Sequence, residues 1–147
     1  MVNQAIEILL VEDNPDDLEL GLRALRKENL ANQIHVARDG VEALEFLHQR
    51  PNGHQPRLVL LDLKLPKLDG LEVLRRMRKD DRTHNVPVVI MTSSNEERDL
   101  VESYKLGVNS YIQKPVDFTK FTDLVRQVGL YWLVINRIPG VLDGQRL

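Results

Sequence analysis

The stretch Ile6-Glu7-Ile8-Leu9-Leu10-Val11-Glu12-Asp13-Asn14-Pro15-Asp16-Asp17 decides the fold. Its first half is a short run of Ile, Leu and Val, the length of a strand and apolar enough to be covered on both faces. Its second half is a helix start. Asn14 is a capping residue, Pro15 suits the first helical position, and Asp16 and Asp17 put negative charge at the positive end of the helix dipole. Leu18, Leu22 and Leu25 then recur on one face. A buried strand running straight into an amphipathic helix, with carboxylates at the join, is the first half of a βαβ unit.

Outward from this stretch the same alternation returns four times. The runs are Ile34-His35-Val36-Ala37, Leu58-Val59-Leu60-Leu61, Val86-Pro87-Val88-Val89-Ile90-Met91 and Ser110-Tyr111-Ile112-Gln113. Each precedes a helical pattern. Asp39-x-x-Glu42, Asp69-x-x-Glu72 and Ser94-x-x-Glu97 have the spacing of a capping box. Leu44/Leu47, Val73/Leu74/Met77 and Leu100/Val101/Tyr104 supply the expected inner faces. Gly107 is placed to end the fourth helix, and Asp117 to open a fifth with Phe121, Leu124, Val125, Val128 and Trp132 facing inward. Five strand–helix units with short links predict an α/β fold: a doubly wound parallel sheet with right-handed crossovers. Runs two and five carry polar residues in alternation and suit the edges, which gives the strand order 2-1-3-4-5. The expectation is one domain over 1–147, with a core at about 5–128, an extended fifth helix and tail at 129–147, and no output domain.

Composition narrows the function. The 147 residues carry 20 Lys and Arg against 22 Asp and Glu, too balanced for a dominant basic field that would hold nucleic acid. There is no cysteine, so disulfides, thiolate zinc sites and cysteine nucleophiles are excluded. Aromatic residues at 5% argue against a base-stacking platform. No secretory signal or membrane-spanning run is found, and the cytoplasm is the expected location, with no membrane partner.

In a sheet of this order, ligands bind beyond the carboxyl ends of the strands, where the order reverses between strands one and three. The residues that follow the strands are Glu12-Asp13, Asp62, Thr92-Ser93-Ser94 and Lys114-Pro115. Each has an ordinary reading by itself: a cap, a strand-end hydroxyl, a solvated lysine. Together they converge on one crevice, and two like charges about 4 Å apart repel by about 4 kcal/mol at an effective dielectric near 20. Such a cluster calls for a cation. Carboxylates without His or Cys are hard oxygen ligands, suited to Mg²⁺, with Mn²⁺ or Ca²⁺ as substitutes. A flavin-binding module is disfavoured, because Glu12-Asp13 would repel a phosphate there. A phosphatase built on Asp-x-Asp is disfavoured by Lys64, which stands where the second carboxylate would be.

The segments Leu9-Leu10-Val11-Glu12-Asp13-Asn14, Leu60-Leu61-Asp62-Leu63-Lys64-Leu65-Pro66 with Asp69-Gly70, Pro87 to Met91-Thr92, and Tyr111-Ile112-Gln113-Lys114-Pro115 resemble the response-regulator receiver domain of two-component signalling. The fold this implies is the flavodoxin-like receiver. The tail and the Glu12-to-Asp17 opening look like the small single-domain regulators of cyanobacterial and bacterial phytochromes. The resemblance implies that Asp62 is the phosphoacceptor for a sensor histidine kinase, with a phytochrome as the kinase of the narrower likeness. It implies Mg²⁺ on Asp13, Asp62 and the Lys64 backbone carbonyl, with Glu12 acting through water. Thr92 and Lys114 would contact phosphoryl oxygens, Lys114-Pro115 would be cis, and Tyr111 would be the switch partner of Thr92. The protein would be a phosphoacceptor rather than an enzyme. The alternatives are a pseudo-receiver scaffold that never takes phosphate and, less favoured, a Mg²⁺-dependent phosphatase.

Beyond Val128, the residues Leu130, Tyr131, Trp132, Leu133, Val134 and Ile135 are apolar consecutively. A helix apolar all round must be covered all round. This predicts a homodimer through the fourth helix, fifth strand and fifth helix, with Tyr131, Trp132, Leu133 and Ile135 in the interface.

Overall fold

Alternate residues of a strand point to opposite faces of its sheet, and the apolar runs are filled on both parities, so each must be covered twice. The computed structural model, which describes residues 7–27, 33–51, 54–93, 96–108 and 110–114 together with 120, 123 and 127, shows how. The elements are β1 (Glu7–Val11), α1 (Pro15–Lys27), β2 (Gln33–Ala37), α2 (Gly40–Gln49), β3 (Leu58–Leu61), α3 (Gly70–Lys79), β4 (Val88–Thr92), α4 (Glu97–Lys105) and β5 (Ser110–Gln113). The strands form one parallel sheet in the order β2-β1-β3-β4-β5. This is the architecture expected from the sequence.

The two parities feed two cores. Leu9, Val11, Val59, Leu61, Val88 and Ile90 pack with Ala43 and Leu47 of α2 and with Val73 and Met77 of α3. Ile8, Leu10, Leu58, Leu60, Val89 and Met91 pack with Leu18 and Leu25 of α1. β2 and β5 are only partly covered, as the polar residues in their sequences foretold.

The caps set where the helices begin. Asn14 Oδ1 accepts from the backbone N–H groups of Asp16 (2.9 Å) and Asp17 (3.0 Å) and so starts α1 at Pro15. Asp39 accepts from Glu42 N–H at 2.8 Å, and Asp69 from Glu72 N–H at 3.1 Å. Gly107 sits past the end of α4 at φ +80°, where a side chain is disfavoured. Its N–H reaches Tyr104 O at 3.0 Å while that of Val108 reaches Ser103 O at 3.3 Å, the paired bonds of a Schellman end.

α4 departs from expectation in two ways. It begins at Glu97 after Glu96, whose side chain makes no cap, so Glu97 is the first helical residue and not the third helical residue of a capping box. Ser94 lies outside the described residues. The inward face is also different. Leu100, Val101 and Tyr104 are 38%, 45% and 51% exposed, whereas Asp99 and Ser103 are 7% and 0% exposed. Positions 99 and 103 are one helical turn apart and are buried together, while 100, 101 and 104 are exposed. The rule that the most apolar face turns inward fails here because tertiary placement fixed the rotation of the helix.

Of the expected fifth helix, Lys120, Asp123 and Gln127 are described, and they are helical and exposed; Asp117, the apolar face, the tail at 129–147 with Tyr131, Trp132, Leu133 and Ile135, and the peptide to Pro115 lie outside the described residues. Among the described residues, no helix is long and apolar enough to cross a membrane.

Candidate functional site

The carboxyl ends of β1, β3, β4 and β5 present the site. Glu12 follows β1. Its N–H donates to Ala37 O at 2.9 Å, which extends the β1–β2 ladder by one rung and pulls the side chain inward to 1% exposure. Its Oε2 accepts from Asn14 N–H at 3.2 Å. Asp13 is exposed beside it. Asp62 follows β3, and its N–H donates to Val11 O at 3.1 Å, so the ladder between the two central strands ends on the two acidic positions. Asp62 Oδ1 accepts from Lys64 N–H at 3.1 Å.

Gly70, at the start of α3, closes this turn from behind. Its N–H donates to Leu63 O at 2.9 Å, and a Cβ placed there would stand 2.2 Å from Asp62 O. The close approach of the α3 start to Asp62 therefore needs a residue with no side chain.

Lys114 comes from the far side. Its N–H donates to Thr92 O at 2.7 Å, which carries the β4–β5 pairing past Gln113 and aims the side chain over the crevice. The ammonium donates to Glu12 Oε1 at 2.7 Å, to Asp17 Oδ2 at 2.8 Å and to Asp62 Oδ2 at 3.1 Å. All three N–H bonds of a lysine are thereby used. Burial favours the neutral amine, but the hydrogen bonds to Asp17 and Glu12 and the charge of Asp62 outweigh it, and the Lys114 pKa is raised. Burial, opposed by the Lys114 hydrogen bond and reinforced by the Asp62 charge, pushes the Glu12 carboxyl up to about 7.

Glu12, Asp13 and Asp62 can each bring an oxygen within 4.8 Å of the others. Three hard oxygens with no nitrogen or sulfur donor suit a divalent cation of the Mg²⁺ or Mn²⁺ kind. One ammonium already sits among these crowded carboxylates and offsets part of their charge, so positive charge is stable at this point. Thr92 is fully buried at the end of β4. Tyr111 pairs in register with Ile90, two residues before Thr92, and packs against the core on the α2/α3 side. Thr92 and Tyr111 thus lie on one face of adjacent strands.

Glu12, Asp13, Asp62, Lys64, Thr92 and Lys114, all singled out from the sequence, meet in one place. Asp17 was not singled out as a site residue. In sequence it is one more acid in a helix's first turn. The one available signal was that Asn14 caps this helix, which places Asp17 a single turn from Glu12.

A family model described as "Response regulator receiver domain" matches residues 8–126. The probable methanogenesis regulatory protein FilR2 of Methanothrix harundinacea (strain 6Ac) is 42% identical over 90% of this chain and 87% of its own. The response regulator Rcp1 of Synechocystis sp. (strain ATCC 27184 / PCC 6803 / Kazusa) is 36% identical over 90% of this chain and 92% of its own. The structure of its Mn(2+)-bound form superimposes with a TM-score of 0.75 over 87% of this chain and 94% of that one, at 37% identity. The phosphorylated cyanobacterial phytochrome response regulator RcpA gives 0.77 over 88% and 95%, at 38% identity.

Proposed function

This chain belongs to the response regulator receiver domain family, and from that membership we propose that it is a phosphorylatable signalling protein whose acceptor is Asp62. An Asp62 carboxylate oxygen bonds to phosphorus as the P–N bond of a phosphohistidine on a sensor kinase breaks. The electron pair leaves with the imidazole, which takes up a proton. Glu12, Asp13, Asp62 and the Lys64 carbonyl would hold Mg²⁺, which when bound supplies positive charge to the phosphoryl oxygens. Lys114 supplies a second positive charge, and the Thr92 hydroxyl a hydrogen bond. Phosphoryl transfer needs this placement of charge more than covalent assistance.

The observation that carries the reading is the meeting of the Lys114 ammonium with Asp62 and Glu12, inside 3.1 Å, at the ends of the two central strands. RcpA, whose structure is of a phosphorylated phytochrome response regulator, supports a phytochrome as the kinase. The Mn(2+)-bound form of Rcp1 supports a divalent cation. The output is a change at α4 and β5. The phosphoryl group draws Thr92 toward itself, Tyr111 moves into the space left, and the surface beside it alters. The occupant of that surface is a second copy of this chain. The exposed Leu100, Val101 and Tyr104 on α4 and the apolar run from Leu130 to Ile135 support a homodimer there.

Incubation with a small phosphodonor and Mg²⁺ tests the reading. Intact mass should show one phosphoryl group on the wild-type chain, mapped to Asp62. Asp62→Asn, nearly the same size, should take none while keeping its fold. Labelling should stop in excess chelator. A wild-type chain that takes no label would be a scaffold instead, and steady turnover of phosphate esters would make it a phosphatase.

A further inference from the structure

We propose that Asp17 is a positioning residue of this site: it anchors the Lys114 ammonium over the crevice when a divalent cation and a phosphoryl group take the other two partners away. This rests on the reading of Asp62 as phosphoacceptor.

The bonds of Lys114 are not equivalent. Two of its acceptors, Glu12 and Asp62, belong to the carboxylate trio whose oxygens can meet on one cation. Asp62 also offers the oxygen that bonds to phosphorus in the acyl phosphate. Asp17 is outside the trio and does not react. Its Oδ2 lies 2.8 Å from Lys114 Nζ, on the solvent side of the crevice. A cation on the trio withdraws negative charge from the lysine and repels it. With nothing else to hold it, a flexible four-carbon side chain would swing to water, where an ammonium is strongly hydrated. The Asp17 carboxylate offsets that repulsion and keeps the N–H groups pointing inward.

The local sequence prepares Asp17 for this. Asn14 binds the Asp17 N–H at 3.0 Å, which fixes the first turn of α1, and Pro15 removes one backbone freedom there. Asp17 is 37% exposed at its side chain and Lys114 13%, so their bond is shielded on the lysine side. The ordinary explanation is that Asp17 only complements the dipole of α1. Asp16 already does so one residue earlier, and the three N–H bonds of Lys114 go to Glu12, Asp17 and Asp62 instead.

The test has a readout that does not depend on phosphorylation. In ¹⁵N-lysine spectra, the Lys114 ammonium, assigned by its loss in Lys114→Met, should be slow to exchange in the wild-type chain with and without saturating Mg²⁺. In Asp17→Ala it should stay protected without Mg²⁺, held by Glu12 and Asp62, and lose protection when Mg²⁺ is added. Asp16→Ala, which removes the same helix-end charge, should behave as wild type, and Asp17→Glu should restore part of the protection. Labelling by a small phosphodonor should slow about tenfold in Asp17→Ala. It should slow no further in Asp17→Ala combined with Lys114→Met than in Lys114→Met alone.

Protection that survives Mg²⁺ in Asp17→Ala overturns the proposal. So does an equal slowing by Asp17→Ala in both lysine backgrounds, or an Asp16→Ala that matches it. A wild-type chain with the protected ammonium but no labelling overturns the reading of Asp62 instead.

Discussion

At the scale of single residues, the site is a balance of charges in a poorly solvated crevice. Removing the ammonium leaves Glu12 and Asp62 facing each other without a counter-ion. Breaking a buried pair by deleting one partner typically costs 3–5 kcal/mol, so Lys114→Met should lower stability in chelator by about 3 kcal/mol. Urea unfolding measures this. Adding Mg²⁺ should recover most of the loss, because the metal can neutralise the same carboxylates. The same variant should bind Mg²⁺ more tightly than wild type by isothermal titration, since no internal cation competes. An equal loss of stability with and without Mg²⁺ would mean that the lysine acts through packing alone.

At the scale of elements, two contacts fix the helices, one beside the crevice and one at the opposite end of the sheet. Gly70 lets the start of α3 lie against Asp62 O, and an added Cβ would stand 2.2 Å from it. Gly70→Ala must push the β3–α3 turn outward, at about 1–3 kcal/mol, the usual range for overpacking. Labelling of Asp62 should fall along with stability; a variant with wild-type labelling would place the acceptor elsewhere. Arg78 works at the opposite end of the sheet. Its guanidinium donates to Leu106 O at 2.7 Å, Val86 O at 2.9 Å, His84 O at 3.1 Å and Gly107 O at 3.2 Å. It thus ties the end of α3 to the entry of β4 and to the end of α4. A lysine has no planar fork with which to reach these carbonyls together. Arg78→Lys should destabilise by about 2 kcal/mol and speed amide exchange at Leu106 to Val108, read by NMR. α4 would then lose its hold at the end remote from the crevice.

At the scale of the whole molecule, the question is what covers the outward apolar side chains. α4 shows Leu100, Val101 and Tyr104 to solvent. Contiguous apolar surface on a soluble domain commonly marks an interaction site. Light scattering at micromolar concentration should give a dimer mass for the wild-type chain. Val101→Asp combined with Tyr104→Asp should give a monomer with an unchanged circular dichroism spectrum. Leu133→Asp should do the same. A monomer under all conditions, phosphodonor included, would rule out a second copy as the occupant.

The sequence by itself determined what short-range physics can determine. The apolar runs fixed β1, β3 and β4, and the polar alternation in β2 and β5 fixed the edges and hence the strand order. Asn14, Asp39, Asp69 and Gly107 ended or began their helices where their side chains, or the lack of one, require it. Because every parallel strand delivers its last residue to the same end, the convergence of Glu12, Asp62, Thr92 and Lys114 was legible too. Only the tertiary structure decided which face of α4 turns inward, since Asp99 and Ser103 win over a more apolar flank through the placement of the helix, not through its periodicity. Only the tertiary structure joined Asp17 to the site. Lys114 reaches partners 52, 97 and 102 residues away in the chain. Propensity and capping act over about one helical turn, so the partners of a long side chain at a strand's end are set by how the finished sheet lays its loops side by side.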